Sequence, residues 1–226
     1  MSEQEHYIIA GGDAGARRLH VLARAVMPGT LQLLHRAGLS PGMKVLDLGC
    51  GSGEVTFALA EQIGPDGRVV GIDMDEVVLA HAGKAADRAG VRVDWRCAPA
   101  ETLDEAGRYD LVYARFLLSH LSDPAAMLAK MLRATASEGV VVVEDIDIAN
   151  HTHWPPCQAF LRYIEIYQAT ARLRGADPNI GPRLPALAID AGDTLTVSAV
   201  VAEGYETAEL TAVLAISGSD DVDPVA

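Results

Sequence analysis

Apolar and polar positions alternate between two periods along the chain. "PGMKVLDLGCGSG" opens with a turn and runs into a short apolar strand, and "EVTFALAEQIG" follows with helical spacing and stops at Gly64. "GRVVGIDMD" predicts a second buried strand, and "EVVLAHAGKAADRAG" a helix ended by Gly90. "VRVDWRCAP" alternates as a third strand, "YDLVYAR" reads as a fourth and "GVVVVEDID" as a fifth. Between the last two, "SDPAAMLAKMLRATASEG" predicts a helix capped by Ser122 or Asp123, with Pro124 in its first turn and Gly139 after its end. Upstream lies a helical zone over 14–37, broken at Pro28 and Gly29.

Short apolar strands alternating with helices predict an α/β fold, a Rossmann-like doubly wound, mostly parallel sheet of six or seven strands. After Asp147 the rhythm changes: a loop, a long inserted helix in "HTHWPPCQAFLRYIEIYQATARLRG", then a shorter one in "GPRLPALAIDAG". "TLTVSAVVA" reads as a sixth strand, while "AELTAVLAIS" is open between strand and helix. The chain therefore divides into a helical lid (1–40), a core (41–147), a helical substrate-side insertion (148–192) and an end segment (193–226). That end segment carries acids but no Lys or Arg and reads as shortened.

Composition narrows the function classes. Of 226 residues, half are hydrophobic, enough for a sizeable core. A formal charge of −13 disfavours nucleic acid and anionic membrane surfaces as partners, since both need clustered cations. The odd set Cys50, Cys97 and Cys157, with a polar "MSEQEHY" start and no long apolar span, predicts a reduced cytoplasmic setting.

The glycine turn after the first strand marks a ligand site, because open α/β sheets bind at the carboxyl ends of their strands. A P-loop is excluded, since Ser52-Gly53-Glu54 lacks the lysine. A dinucleotide fingerprint has its third glycine one residue later than Gly53. Asp47 and Glu54 flank the turn with negative charge, which repels a pyrophosphate but suits a ligand carrying an ammonium and a sulfonium.

"VLDLGCGSG" resembles motif I of the class I S-adenosylmethionine-dependent methyltransferases. "VVGIDMD", "YDLVYARFLLSHL" and "VVVVEDID" are similar to their second-, fourth- and fifth-strand motifs, in the same order. The resemblance implies S-adenosyl-L-methionine as cofactor. It implies that Gly49, Cys50, Gly51 and Gly53 line the methionine part, that Asp47 takes its amino group, and that Asp73 takes the ribose hydroxyls. Met74 would face the adenine. In place of the family's "DAE" the chain has "CAPAETL", so Pro99 removes the adenine-reading carboxylate and leaves the Ala100 N–H for the ring. The leader "HYIIAGGDAGARRLHVLARAV" resembles that of small-molecule and quinone-type methyltransferases, implying closure by Tyr7 and a carboxylate partner in Arg18; Arg115 at the end of the fourth strand joins the cofactor set. The alternative for Asp73 is a helix cap, and for Arg18 a solvated helix face.

Methyl transfer needs alignment and sometimes removal of a proton. Candidates for that step are His120, Asp145, His151 and His153. His151, His153 and Cys157 lack an established metal-ligand spacing, and no metal is assigned. Trp154, Phe160, Tyr163 and Tyr167 are candidates for an apolar acceptor wall or for core. The expected activity is methylation of a small organic acceptor at oxygen, nitrogen or carbon, with oligomeric state open and a homodimer among the options. The rival from another class is an S-adenosylmethionine-binding sensor or assembly subunit without transfer; a NAD-dependent oxidoreductase is disfavoured by the glycine spacing.

Overall fold

The computed structural model describes residues 12–151, 153–191, 194–197, 200–201 and 210–217; for 12–22, 24 and the strands after 191 only the backbone is described. Five parallel strands form the centre: β1 (Lys44–Leu48), β2 (Arg68–Asp73), β3 (Asp94–Cys97), β4 (Tyr109–Arg115) and β5 (Thr135–Asp145). Three further strands close the far side: β6 (Thr194–Val197), β7 (Val200–Val201) and β8 (Leu210–Ser217). The order is β3-β2-β1-β4-β5-β8-β6, with β8 antiparallel to β5. Because β6 and β7 both pair with β8, they occupy one sheet position, and seven positions span the sheet. The segment left open between strand and helix is thus the strand β8, wedged between β5 and β6.

The central strands are apolar on both faces because helices cover both. On one face lie α1 (Gly12–Arg36), α2 (Glu54–Ile63) and α3 (Glu76–Ala89); Leu33, Leu34, Leu59 and Ile63 meet Val45, Leu111 and Val142 there. On the other, α4 (Pro124–Ala134) and α6 (Leu184–Asp190) bring Leu128, Met131 and Leu184 onto Leu46, Val112 and Val143. The remaining helix, α5 (Gln158–Leu173), sets Ile164 and Tyr167 against Ile148 beyond the end of β5. Among the described residues no helix is long and apolar enough to cross a membrane.

Two boundaries differ from the sequence expectation. Helix α1 runs unbroken through Pro28. The proline deletes one backbone bond, but the next turns bury Thr30, Leu33 and Leu34 completely, and that packing carries the helix through. Helix α4 starts as expected, with the Asp123 carboxylate accepting from the Ala126 amide at 2.9 Å and Pro124 in the first turn. It ends at Ala134, however, and Gly139 lies inside β5. The register of β4 and β5 slips between Tyr109 and Leu111. A Cβ at Gly139 would stand 2.9 Å from the carbonyls of Tyr109 and Asp110, so this glycine serves a bulge and not a helix stop.

Candidate active site

Strand order reverses between β1 and β4, and the candidate residues gather at the carboxyl ends there, as the switch-point rule requires. After β1, Gly49, Gly51 and Gly53 all take positive φ, at 74°, 53° and 83°. The amides of Gly49 and Cys50 both donate to the Ile72 carbonyl, at 2.8 and 3.0 Å, tying the turn to β2. A Cβ on Gly49 would reach Leu117 Cδ1 at 3.1 Å, so the loops after β1 and β4 meet closely. Gly53 has a different reason for lacking a side chain. Its Cβ would fall 2.7 Å from Cη2 of Trp95, whose ring also lies over Gly71 and edge-on to Phe57. What Gly53 approaches is an indole of its own chain.

Asp47 sits at 2 % exposure and accepts from the Thr56 hydroxyl at 2.6 Å. Burial pushes its carboxyl up to about 6, with Asp73 and Glu54 adding to the rise and the Thr56 bond and Arg115 opposing it. Burial likewise raises the Cys50 thiol, reinforced by the charges of Asp47 and Asp73. Glu54 accepts from the Ser52 hydroxyl at 2.5 Å.

Asp73 ends β2, half-buried, with Oδ2 accepting from the Gly51 amide at 2.8 Å and Oδ1 from the Asp75 amide at 2.9 Å. Desolvation raises its carboxyl despite those bonds. The cap of α3 is its neighbour: Asp75 accepts from the Val77 and Val78 amides at 3.0 and 3.1 Å. Beside Asp73, Met74 and Val77 stand 43 % and 50 % exposed, an uncovered apolar step at the ligand end of the sheet. Opposite them Pro99 precedes a 3₁₀ turn, Ala100–Thr102, whose first amide has no acceptor within the turn.

At the end of β4 Arg115 is half-buried, its guanidinium donating to Thr30 Oγ1 at 3.1 Å. Thr30 in turn donates to Glu144 Oε2 at 2.8 Å, and the Tyr113 hydroxyl donates to the same oxygen. Burial raises both Glu144 and Tyr113. Phe116, the next residue, has φ 54°, rare outside glycine, and its ring lies 5.7 Å from the Arg115 guanidinium carbon. Thr30 and Trp95 carried no motif signal, since each acts through residues distant in sequence.

The four candidates for proton removal separate. Asp145 is wholly buried, and its oxygens accept from the Ser119 and Ile146 amides at 3.0 and 2.9 Å. Burial pushes it up to about 6. Neither oxygen lies at a surface. His153 accepts from the Cys157 amide through Nε2 at 2.6 Å, at the start of α5, and its ring packs 4.4 Å from Phe160. Asp145 is thus a buried anchor, while His153 is half-buried with Nε2 engaged by the Cys157 amide. His120 and His151 are half-buried on the turns Leu118–His120 and Ile148–Asn150/His151. Among the described residues no three His, Cys, Asp or Glu side chains are grouped for a metal ion. Of the aromatic set, Tyr167 is core and Phe160 half-covered, while Tyr163 and Trp154 are exposed. Tyr7 lies outside the described residues, and Arg18 lies in α1 with only its backbone described.

Residues 39–175 match the family model described as a methyltransferase domain. The chain is 39 % identical over 114 residues to the ubiquinone biosynthesis O-methyltransferase of Pseudomonas aeruginosa, covering 50 % of this chain and 47 % of that protein. It is 38 % identical over 114 residues to the nocamycin O-methyltransferase of Saccharothrix syringae, covering 50 % and 41 %. The chain thus spans about half the length of the curated relatives it matches. A crystal structure of a SAM dependent methyltransferase from Aquifex aeolicus superposes with TM-score 0.67 at 19 % identity, over 92 % of this chain and all of that one. With the family model covering more than half of its residues, the chain belongs to the methyltransferase-domain family.

Proposed function

We propose that the protein transfers the methyl group of S-adenosyl-L-methionine to a small organic acceptor. The observation that carries this is Asp73, a half-buried carboxylate fixed by two backbone amides beside the uncovered Met74 and Val77. A fixed two-oxygen acceptor fits a vicinal diol, and the adjoining apolar step fits a flat heterocycle. Gly49, Cys50 and Gly51 line the neighbouring turn, Asp47 supplies negative charge for an amino group, and the Ala100 amide faces the adenine ring in place of a side-chain carboxylate.

When bound, the sulfonium of that molecule supplies an electrophilic methyl carbon. The chain's contribution is to orient and exclude water. Asp145 clamps the turn after β4 through the Ser119 amide and acts as a positioning residue. His120 and His151 are the candidates for receiving an acceptor's proton. Both curated relatives are named O-methyltransferases, which supports oxygen as the acceptor atom ahead of nitrogen or carbon. The whole chain acts as one unit, with the 148–192 insertion shaping the acceptor side. The net negative charge supports a free small molecule as partner ahead of nucleic acid or an anionic membrane surface.

Calorimetry with S-adenosylmethionine, S-adenosylhomocysteine and NAD, followed by methyl transfer from labelled donor to a panel of phenols, carboxylic acids and amines, tests this reading. Binding of the two sulfur ligands and labelling of an acceptor are expected. Binding of NAD alone overturns it, and tight binding without transfer to any class favours a sensor.

A further inference from the structure

Arg115 is held by more groups than a surface arginine needs. Thr30 has one hydroxyl hydrogen, and it points at Glu144, at 2.8 Å from Oε2 and 3.2 Å from Oε1. The Thr30 oxygen is then left to accept, and Arg115 donates to it at 3.1 Å. Tyr113 also donates to Glu144. Every hydrogen bond in the set has one direction: Arg115 to Thr30, Thr30 to Glu144, Tyr113 to Glu144.

Below the guanidinium lies the Phe116 ring, kept there by a left-handed backbone whose amide donates to the Glu144 carbonyl at 2.8 Å. Such a conformation persists only where surrounding contacts over-determine it, and these residues gather at functional sites. Thr30 takes one of the five N–H donors of the guanidinium, and a carboxylate needs two in parallel.

Register sets which face of the sheet carries Arg115. Asp47 pairs with Tyr113 across β1 and β4, and Arg115 lies two residues further toward the carboxyl end on the same face. One acid and one guanidinium thus share a face at the switch point, near enough for the Arg115 charge to act on Asp47.

We propose that Arg115 receives the carboxylate at the amino-acid end of the methyl donor, and that Thr30, Tyr113 and Glu144 are the positioning residues that aim it. This rests on the methyl-donor reading above and gives Arg115 the role the leader motif implied for Arg18. A guanidinium already held in place loses little rotamer freedom on binding.

The test compares S-adenosylmethionine with its decarboxylated form, which keeps the adenosine, the sulfonium and the amine. By calorimetry, Arg115→Met is expected to weaken S-adenosylmethionine by about 10- to 100-fold while leaving the decarboxylated ligand nearly unchanged. Thr30→Val and Glu144→Gln are expected to show the same ligand dependence at smaller size, and Arg18→Met no such dependence. Arg115→Lys, which keeps the charge and loses the fork, carries the test if the methionine variant does not fold, with an intermediate loss confined to the carboxylated ligand. Equal weakening of both ligands, no effect on either, or the selective loss appearing in Arg18→Met overturns the proposal. If the unaltered protein binds neither ligand, the methyl-donor reading itself falls.

Discussion

Replacing Gly71 with alanine sets two contributions of opposite sign against each other. In a strand interior alanine is favoured over glycine by about 0.5–1 kcal/mol, because glycine loses more backbone freedom on folding. Here the added methyl would lie 2.8 and 2.9 Å from Cζ3 and Cε3 of Trp95, and 3.1 Å from Cys50 Sγ. The indole has little room to yield. Phe57 meets it edge-on at 5.9 Å between centroids, and on the glycine-turn side it already fills the space a Gly53 Cβ would need. Overpacking of this kind costs about 1–3 kcal/mol, so a net loss of about 1–2 kcal/mol is expected, or roughly 2–8 °C for a chain of this size. The assay is thermal and urea unfolding followed by far-ultraviolet circular dichroism, on the unaltered protein, Gly71→Ala, Trp95→Val and the double variant. With the ring gone the two shortest contacts go with it, and a few tenths of an ångström relieve the one to Cys50 Sγ. Gly71→Ala should then become neutral or stabilising, a coupling of about 1.5–2.5 kcal/mol between the two sites. Equal effects of Gly71→Ala in both backgrounds would refute the claim that Trp95 dictates this glycine.

Stability should fall as pH rises from about 4 to 6.5. Asp47 and Asp145 move from 3.8 to about 6 on burial, so between those values the folded chain holds protons the unfolded chain has released, at about 3 kcal/mol each once both states are ionised. Asp47→Asn should flatten that slope and stabilise the protein at pH 7.5, as urea titrations at several pH values would show. Asp145→Asn should destabilise by about 1–3 kcal/mol, because its new amide would set an N–H against one of the two amides that Asp145 now receives. Asp75→Ala should lower stability by about 1 kcal/mol through loss of the α3 cap with ligand affinity retained, whereas Asp73→Ala should abolish S-adenosylmethionine binding in calorimetry. Pro28→Ala should restore one helical bond and raise the melting temperature, with a gain of about 1–3 kcal/mol.

The parallel core was legible because each of its strands is an apolar run closed by a local stop. The run "YDLVYAR" is β4 from end to end. Errors arose where a local signal was outvoted from a distance. Pro28 reads as a break, yet Leu33 and Leu34 beyond it are fully buried on the sheet. Gly139 reads as a helix stop, yet its absent side chain is dictated by the carbonyls of Tyr109 and Asp110. The glycine turn shows the same limit within the site. Gly49, Cys50 and Gly51 are readable from motif I alone, while the reason for Gly53 is Trp95 on another strand. Thr30, separated from Glu144 by 114 residues, had no pattern that could reveal it.

The two acids at the end of β5 show why the site had to be resolved residue by residue. Side chains on a strand alternate between faces, so Glu144 and Asp145, adjacent in "VVVVEDID", leave the sheet in opposite directions. Glu144 turns toward α1 and meets Thr30 and Tyr113. Asp145 turns toward α4 and α6 and holds the Ser119 amide. One acid thereby anchors the helix over the glycine-turn face, and the other anchors the turn that carries His120. Each carboxylate loses hydration on burial, and each is also the acceptor for buried donors that an apolar residue would leave unpaired. Asp47, Glu144 and Asp145 are all buried and all raised, and all three stand at the carboxyl ends of β1 and β5, on either side of β4. A stability loss concentrated at the switch point, and absent from the amino ends of the same strands, is the distribution expected where folding has yielded to the alignment of a ligand.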